Sequence, residues 1–297
     1  MYGKEIGFPG FTDAIWRIDK IAFKIKVFNT TIEVRWYGII ICAAIMTAFV
    51  YFLMRGKRTE KILEDDILNL ALFTIPFAVI GARVFYVITH LSDYDGFMDA
   101  IAIWNGGIAI YGGLVFGLLT FIIYAKVKKL SVYKLTDAVA PGVMLGQAIG
   151  RWGNFVNTEA YGVSANVDKL PWRMTLNGVA YHPTFFYESL WNVIGFVIIN
   201  IIYKNKKFDG QITLFYIMWY GLGRGFIEIL RTDSCLVFGQ KAFVYLGFVS
   251  FAVCLVLYIL KHKKYEHSLD ELAEYRAKFG SSDSTEKSEE TTDDNKK

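Results

Sequence analysis

Seven stretches of this chain stay apolar for long enough to cross roughly 30 Å of hydrocarbon, which takes about 17 to 25 residues at about 1.5 Å per residue. They run approximately Trp36 to Met54, Ile67 to His90, Ile108 to Ala125, Val132 to Ile149, Phe185 to Tyr203, Gln211 to Leu230 and Ala242 to Leu260. The pattern predicts an all-α integral membrane protein of about seven transmembrane helices. The second, third, fourth and sixth runs are interrupted by Gly, Pro or ionisable residues. Before the first run, Phe23, Ile25 and Val27 alternate with Lys24 and Lys26, a period of two that suits a strand lying along lipid headgroups. No internal repeat is visible.

Three regions follow from this pattern. Residues 1–35 form an arm at the outer interface. Residues 36–264 form the membrane domain, with 150–184 as an extracytoplasmic loop and small head. Residues 265–297 form an acidic tail, in which Gly280 to Lys297 is almost entirely Ser, Thr, Asp, Glu and Lys, cannot bury a core and is expected to be disordered.

Charge gives the spans a direction, because short loops rich in Lys and Arg stay cytoplasmic. Arg55, Lys57, Arg58 and Lys61 follow the first span, and Lys126, Lys128, Lys129 and Lys134 the third. Lys204, Lys206 and Lys207 follow the fifth, and Lys261, Lys263 and Lys264 the seventh. The loop from Leu91 to Gly107 has neither Lys nor Arg, that from Gly150 to Thr184 has three, and that from Arg231 to Lys241 two. The amino terminus is therefore expected outside and the carboxyl terminus in the cytoplasm. The arm itself carries six bases and argues the other way, but long amino-terminal segments obey charge less strictly.

Composition agrees with a membrane protein: 54% of the 297 residues are hydrophobic and 16% aromatic. The segment from Tyr265 onward is −5, leaving +9 for the rest of a chain whose total is +4. With no nucleic-acid motif, that basic body points to anionic membrane lipids and not to DNA or RNA. Cys42, Cys235 and Cys254 have no spacing that suggests a disulfide framework or a zinc site. The first residues make no secretory signal, since Met1 to Lys26 lacks an uninterrupted apolar core. No metal-binding His-Glu-x-x-His helix, Gly-x-Ser-x-Gly elbow or phosphate-binding Gly-x-x-x-x-Gly-Lys-Ser/Thr loop occurs, and neither metal nor cofactor is expected.

The densest candidate chemistry lies in Gly150-Arg-Trp-Gly-Asn-Phe-Val-Asn-Thr-Glu-Ala-Tyr-Gly162, joined to the end of the fourth run. Arg151 offers a planar fork of donors to a phosphate, Asn154 and Asn157 supply neutral hydrogen bonds, and Glu159 can hold an arginine or accept a proton. Gly162 permits close backbone approach. The plainer alternative is an aromatic and arginine anchor at the interface. On the sixth run Tyr220, Arg224 and Glu228 follow at i, i+4 and i+8, on one helix face, with Arg231 one turn on. Glu228 can neutralise Arg224, either as a tie between helices or as a setting that lets Arg224 meet an anion. Arg83, after Gly81 and Ala82, is either a ligand-facing charge or packing glue. Asp137 reads as a capping or interfacial carboxylate. Tyr111 stands between the Gly pairs of Trp104-Asn-Gly-Gly107 and Gly112-Gly113. It is a poor base unless a cation lowers its pKa. His182, just before the fifth run, is either a base near neutral pH or a hydrogen-bonded structural residue.

Taken in order along the chain, these motifs resemble the bacterial phosphatidylglycerol-prolipoprotein diacylglyceryl transferases. The resemblance also rests on Arg35-Trp-Tyr-Gly38, Gly81-Ala-Arg83, His182-Pro-Thr with Tyr187-Glu188, and the series from Tyr220 to Arg231. It implies a seven-span enzyme of the cytoplasmic membrane. Its substrates would be phosphatidylglycerol and the lipobox cysteine of preprolipoprotein signal peptides, joined by a thioether with release of glycerol 1-phosphate. By resemblance Arg151 binds the headgroup, Asn154 and Gly162 are essential parts of the same run, Tyr37 and Tyr220 wall the pocket, and Arg224 with Glu228 is the second cation and its partner. Many relatives carry a histidine, regarded as a base, where this chain has Tyr111. Arg151 and Arg224 are accordingly expected to neutralise the departing phosphate, while Tyr111 or Glu159 takes the thiol proton. Two rival classes are an anionic-lipid transporter or flippase, against which the lack of inverted repeats counts, and a scaffold, which leaves the paired arginine clusters without purpose.

Overall fold

The computed structural model describes residues 4–27, 30–94, 96–103, 106–164, 170–232, 236–237 and 240–279. Trp104, Asn105, Cys235 and the tail from Gly280 to Lys297 lie outside the described residues. Seven long helices occupy the seven apolar runs: α1 (Trp36–Arg58), α2 (Glu64–Thr89), α4 (Ile110–Val127), α5 (Val132–Asn157), α6 (Thr184–Lys204), α7 (Gln211–Leu230) and α8 (Ala242–Phe279). A short helix, α3 (Phe97–Ile101), lies between α2 and α4. By length and composition five helices can cross a membrane, namely α1, α2, α4, α6 and the Ala242–Leu272 part of α8. The two others, α5 and α7, carry the polar and charged residues singled out above, so five crossings are supported by composition where seven were expected.

Two helices outrun the apolar segments that mark them. The expected loop from Gly150 begins as helix, because α5 continues to Asn157 and turns only at Thr158, which is left-handed at φ 53°. Hydropathy stops at Arg151, but a helix does not end where a charge appears if the charge finds a partner. Likewise α8 continues through the acidic residues after Tyr265 as far as Phe279, so the first part of the expected tail is helical.

The central helix is α5, which packs on α1, α6 and α7, while α2 packs on α4 and α7 on α8. The arm and the segment after α5 form one head. Strands β1 (Glu5–Phe8), β2 (Thr12–Arg17), β5 (Met174–Leu176) and β6 (Val179–Tyr181) make an antiparallel sheet in the order β2-β1-β5-β6. Ile6, Met174, Leu176 and Phe185 are buried beneath it, against Phe155 and Tyr161. The alternating segment forms β3 (Ile21–Val27), paired antiparallel with β4 (Thr30–Arg35), as the period of two predicts. A last pair, β7 (Leu236–Val237) and β8 (Gln240–Lys241), precedes α8.

At the opposite end from the head, the Lys-rich loops hold a buried network. Lys206 Nζ sits 2.7 Å from Glu60 and 3.0 Å from Asp137, and Tyr203 donates to Glu60 at 2.6 Å. Asp137 is a cap, as expected, but for α7 and not for its own helix. It accepts from the backbone N–H of Gly210 at 2.8 Å and of Thr213 at 2.9 Å, two of the donors a helix start leaves unsatisfied.

Candidate active site

The site is built where the head ends of α5, α6 and α7 converge. Arg151, in the last two turns of α5, donates to Glu188 Oε1 and, at 3.2 Å, to Asn154 Oδ1. Glu188, in the second turn of α6, also accepts from Arg224 Nη1 at 3.1 Å through its other oxygen. Arg224 Nη2 lies 2.7 Å from Glu228, one turn along α7, and Arg231 Nε lies 3.7 Å from the same carboxylate oxygen. Three guanidinium groups are thus strung on two carboxylates whose side chains are 4% and 1% exposed. Burial of a charge is tolerated only with such pairing, and the three arginines form a closely paired cationic strip. Lys241 adds to it while donating to the carbonyls of Glu228, Ile229 and Arg231 at 2.6 to 3.1 Å, capping the end of α7.

Two cavities meet at this cluster. The larger, about 790 Å³, is lined by Tyr111, Arg151, Tyr220, Arg224, Glu228 and Arg231 together with apolar residues of α4, α7 and α8. The smaller, about 470 Å³, lies between α1 and α5 and is lined by Tyr37, Gln147, Arg151 and Asn154 among apolar neighbours. Arg151 and Ile110 belong to both walls. A strip of cations at the polar end of a chamber otherwise walled by hydrocarbon side chains suits an amphiphile with an anionic head.

A family model described as prolipoprotein diacylglyceryl transferase matches residues 21–260. The chain belongs to that family. A phosphatidylglycerol–prolipoprotein diacylglyceryl transferase of Streptococcus suis (strain 05ZYH33) is 40% identical over 255 residues, covering 83% of this chain and 94% of the relative. One of Streptococcus pneumoniae (strain Hungary19A-6) is 42% identical over 241 residues, covering 78% and 92%. The chain is accordingly a multi-pass membrane transferase of the prolipoprotein diacylglyceryl transferase family.

Within this family member the candidate residues separate by place. Arg151, Asn154, Arg224, Glu228, Arg231, Tyr37 and Tyr220 all line the two cavities or the ion-pair chain. Glu159 holds carboxamides and not an arginine, accepting from Asn154 at 3.0 Å and Asn157 at 3.3 Å. Gly162 is a hinge of backbone contacts. Its N–H donates to His182 O at 2.9 Å, Val163 donates to Leu230 O at 2.7 Å, and Gly162 bridges Arg231. A Cβ there would lie 2.7 Å from His182 Cβ and 3.0 Å from Leu230 O. Tyr111 stacks on Phe243, planes 3° apart and centroids 6.3 Å apart, and Arg224 lies 5.6 Å over the same ring.

Arg83 is not at the cavities. Its guanidinium donates to the carbonyls of Asp99, Ala100, Gly106 and Gly107, so of its two readings the geometry favours packing glue. Gly106 and Gly107 hold φ of +88° and +78° to present those carbonyls, a conformation glycine adopts without strain. His182 lies 3.2 Å from the Tyr187 hydroxyl, and burial lowers its pKa, keeping the imidazole neutral near pH 7.

The residue passed over as a site residue is Glu188, noted above only beside Tyr187 in the resemblance. Its signal was an acid in the first turns of an apolar run, since an ionisable group in a spanning segment marks function by default. Phe243, Lys241 and Gln147 were also missed. Gln147, polar inside the fourth apolar run, carried the same kind of cue, whereas Phe243 and Lys241 carried none, because a phenylalanine under an arginine and a lysine on a helix end are known only after folding.

Proposed function

We propose that the chain transfers the diacylglyceryl group of phosphatidylglycerol to the lipobox cysteine thiol of a prolipoprotein, making a thioether and releasing glycerol 1-phosphate. The observation that carries this is the sharing of Glu188 by Arg151 and Arg224 at the wall of an apolar chamber. Fixed cations in a low-dielectric site stabilise charge that grows on a leaving phosphate. The sulfur attacks the diacylglyceryl carbon that carries the phosphate ester oxygen, that carbon–oxygen bond breaks, and the electron pair leaves on the oxygen of the glycerol phosphate. Arg151 lines both cavities, so lipid and peptide can meet beside it.

Free cysteine has a pKa of about 8.5, so little thiolate exists at neutral pH without help. Glu159, held by neutral amides, takes the thiol proton and returns it to the departing phosphate. Glu188 and Glu228 keep the arginines aimed. The Tyr111 ring is engaged with Phe243, and its hydroxyl is not needed as a base.

The site faces the outside of a bacterial cytoplasmic membrane, with the amino terminus external and the carboxyl terminus cytoplasmic. Supporting this, the site residues sit at the helix ends remote from the Lys-rich loops, and Lys206 of one such loop is gathered at the far end with Glu60 and Asp137. Purified protein given headgroup-labelled phosphatidylglycerol and a lipobox peptide should release labelled glycerol phosphate only when both are present. A protein that binds the lipid and releases nothing is a carrier, and the proposal fails.

A further inference from the structure

The β3–β4 hairpin leaves about half of Phe23 and of Ile25 exposed on one apolar face. Among the described residues its two strands pair with each other and with no other strand. On β3, Phe23 and Ile25 are 51% and 45% exposed, while Lys24 between them pairs across the hairpin with Glu33 at 2.7 Å. A lone two-stranded hairpin is marginal in water, and leaving its apolar face wet makes it more so.

What covers that face is indicated by where the hairpin is fixed and by its charge. Arg35, the last residue of β4, is also the N-cap of α1, and Trp36 N–H donates back to Lys20 O at 3.1 Å. The hairpin therefore joins a membrane-crossing helix without a linker and lies at the hydrocarbon boundary. Between residues 19 and 35 four bases, Lys20, Lys24, Lys26 and Arg35, face two acids, Asp19 and Glu33. That net charge of +2 repels a second copy of the same hairpin and attracts an anionic bilayer surface, where apolar and basic residues act together. Tyr37, two residues past β4, lines the smaller cavity.

We propose that the β3–β4 hairpin is a lipid-surface anchor, setting Phe23 and Ile25 among acyl chains and gathering anionic phospholipid beside the cavity walled by Tyr37. The anchoring needs only that α1 spans the membrane and stands apart from the transferase chemistry.

The test uses the full chain in nanodiscs containing phosphatidylglycerol, with Cys42, Cys235 and Cys254 replaced by serine and a nitroxide placed in turn by F23C, K24C, I25C and K26C. Collision with oxygen reports lipid, and collision with a water-soluble nickel chelate reports water. Labels at 23 and 25 are expected to favour oxygen and those at 24 and 26 nickel. Equal nickel access at all four positions means the hairpin stands in water, and shielding of 23 and 25 from both probes means a protein covers them; either overturns the anchor. For the gathering of lipid, replacing Lys20, Lys24 and Lys26 together by Gln should raise the KM for phosphatidylglycerol in a zwitterionic bilayer roughly fivefold or more, since each base near the surface contributes an appreciable attraction, with kcat unchanged. An unchanged KM overturns that half, and a nickel-accessible hairpin beside a transferase that still works shows the anchor wrong while the function stands.

Discussion

Glu188 is the residue on which the two arginines depend, because each of its oxygens accepts from a different helix. Glu188→Gln keeps the volume and removes the charge. It is expected to lower kcat about 10- to 100-fold, the range in which loss of aim at a charged group falls, with a small change in KM. Transfer kinetics with purified variants check this, and an unchanged kcat would show that the bridge only ties helices. Tyr111 gives the opposite expectation. Tyr111→Phe keeps the ring on Phe243 and should retain transfer within about twofold, whereas removing a working base costs about 10² to 10⁴. A loss of that size in the phenylalanine variant would return the proton to the hydroxyl.

His182 carries the pH dependence that can be assigned at this scale. Burial depresses its folded pKa below the unfolded value of 6.5, so between the two values the unfolded chain binds the extra proton. Stability is therefore complete above the unfolded pKa, and falls as pH drops from about 6.5 toward the folded pKa. Melting of the wild type between pH 7.5 and 5.5 should show this slope, and His182→Gln should lessen it. An identical slope in both would place the titration elsewhere.

Among elements, the head ends of α5 and α7 are joined through Gly162, and their inner ends through Asp137 and Lys206. Gly162→Ala sets a methyl against His182 and Leu230, so the α7 end carrying Arg231 must shift; transfer is expected to fall at least tenfold, as small displacements in a site do, while the protein still inserts. Lys206→Met removes the cation between Glu60 and Asp137 at the other end. Leaving buried charge unpaired costs about 3 to 5 kcal/mol, visible as a lower melting temperature in detergent. A Lys206→Met protein as stable as wild type would mean that water reaches the network.

The elements themselves were largely legible from apolar runs, and their internal order from the basic loops. The strand of the arm showed in Phe23, Lys24, Ile25 and Lys26. What could not be read was where α5 stops, since Arg151 ends an apolar run but not a helix whose charge is met by Glu188 from another segment. The same limit hid the joining of β1 to β5, because short strands far apart in sequence announce no pairing. Glu159 was visible as chemistry, but its partners, two carboxamides within five residues, depend on the turn at Thr158.

Across the described residues, charged groups gather at two ends of a bundle whose middle keeps neutral polar groups such as Gln147 and Asn192. The inner end holds carboxylates around one lysine and fixes the helices. The head end holds Arg151, Arg224 and Arg231 on the walls of two chambers. Membership of the prolipoprotein diacylglyceryl transferase family and the arginines on the chamber walls both support the proposal that an anionic lipid binds there.

The most direct measurement is single-turnover release of glycerol phosphate from headgroup-labelled phosphatidylglycerol, with a lipobox peptide in excess, by wild type and by Arg151→Ala and Arg224→Ala proteins that retain wild-type melting. Loss of one preorganised donor to a growing anion costs about 10² to 10³ in rate, so each variant should be slower by that factor, with thioether and glycerol phosphate formed in equal amounts by wild type. Full-rate release by either variant would contradict the account.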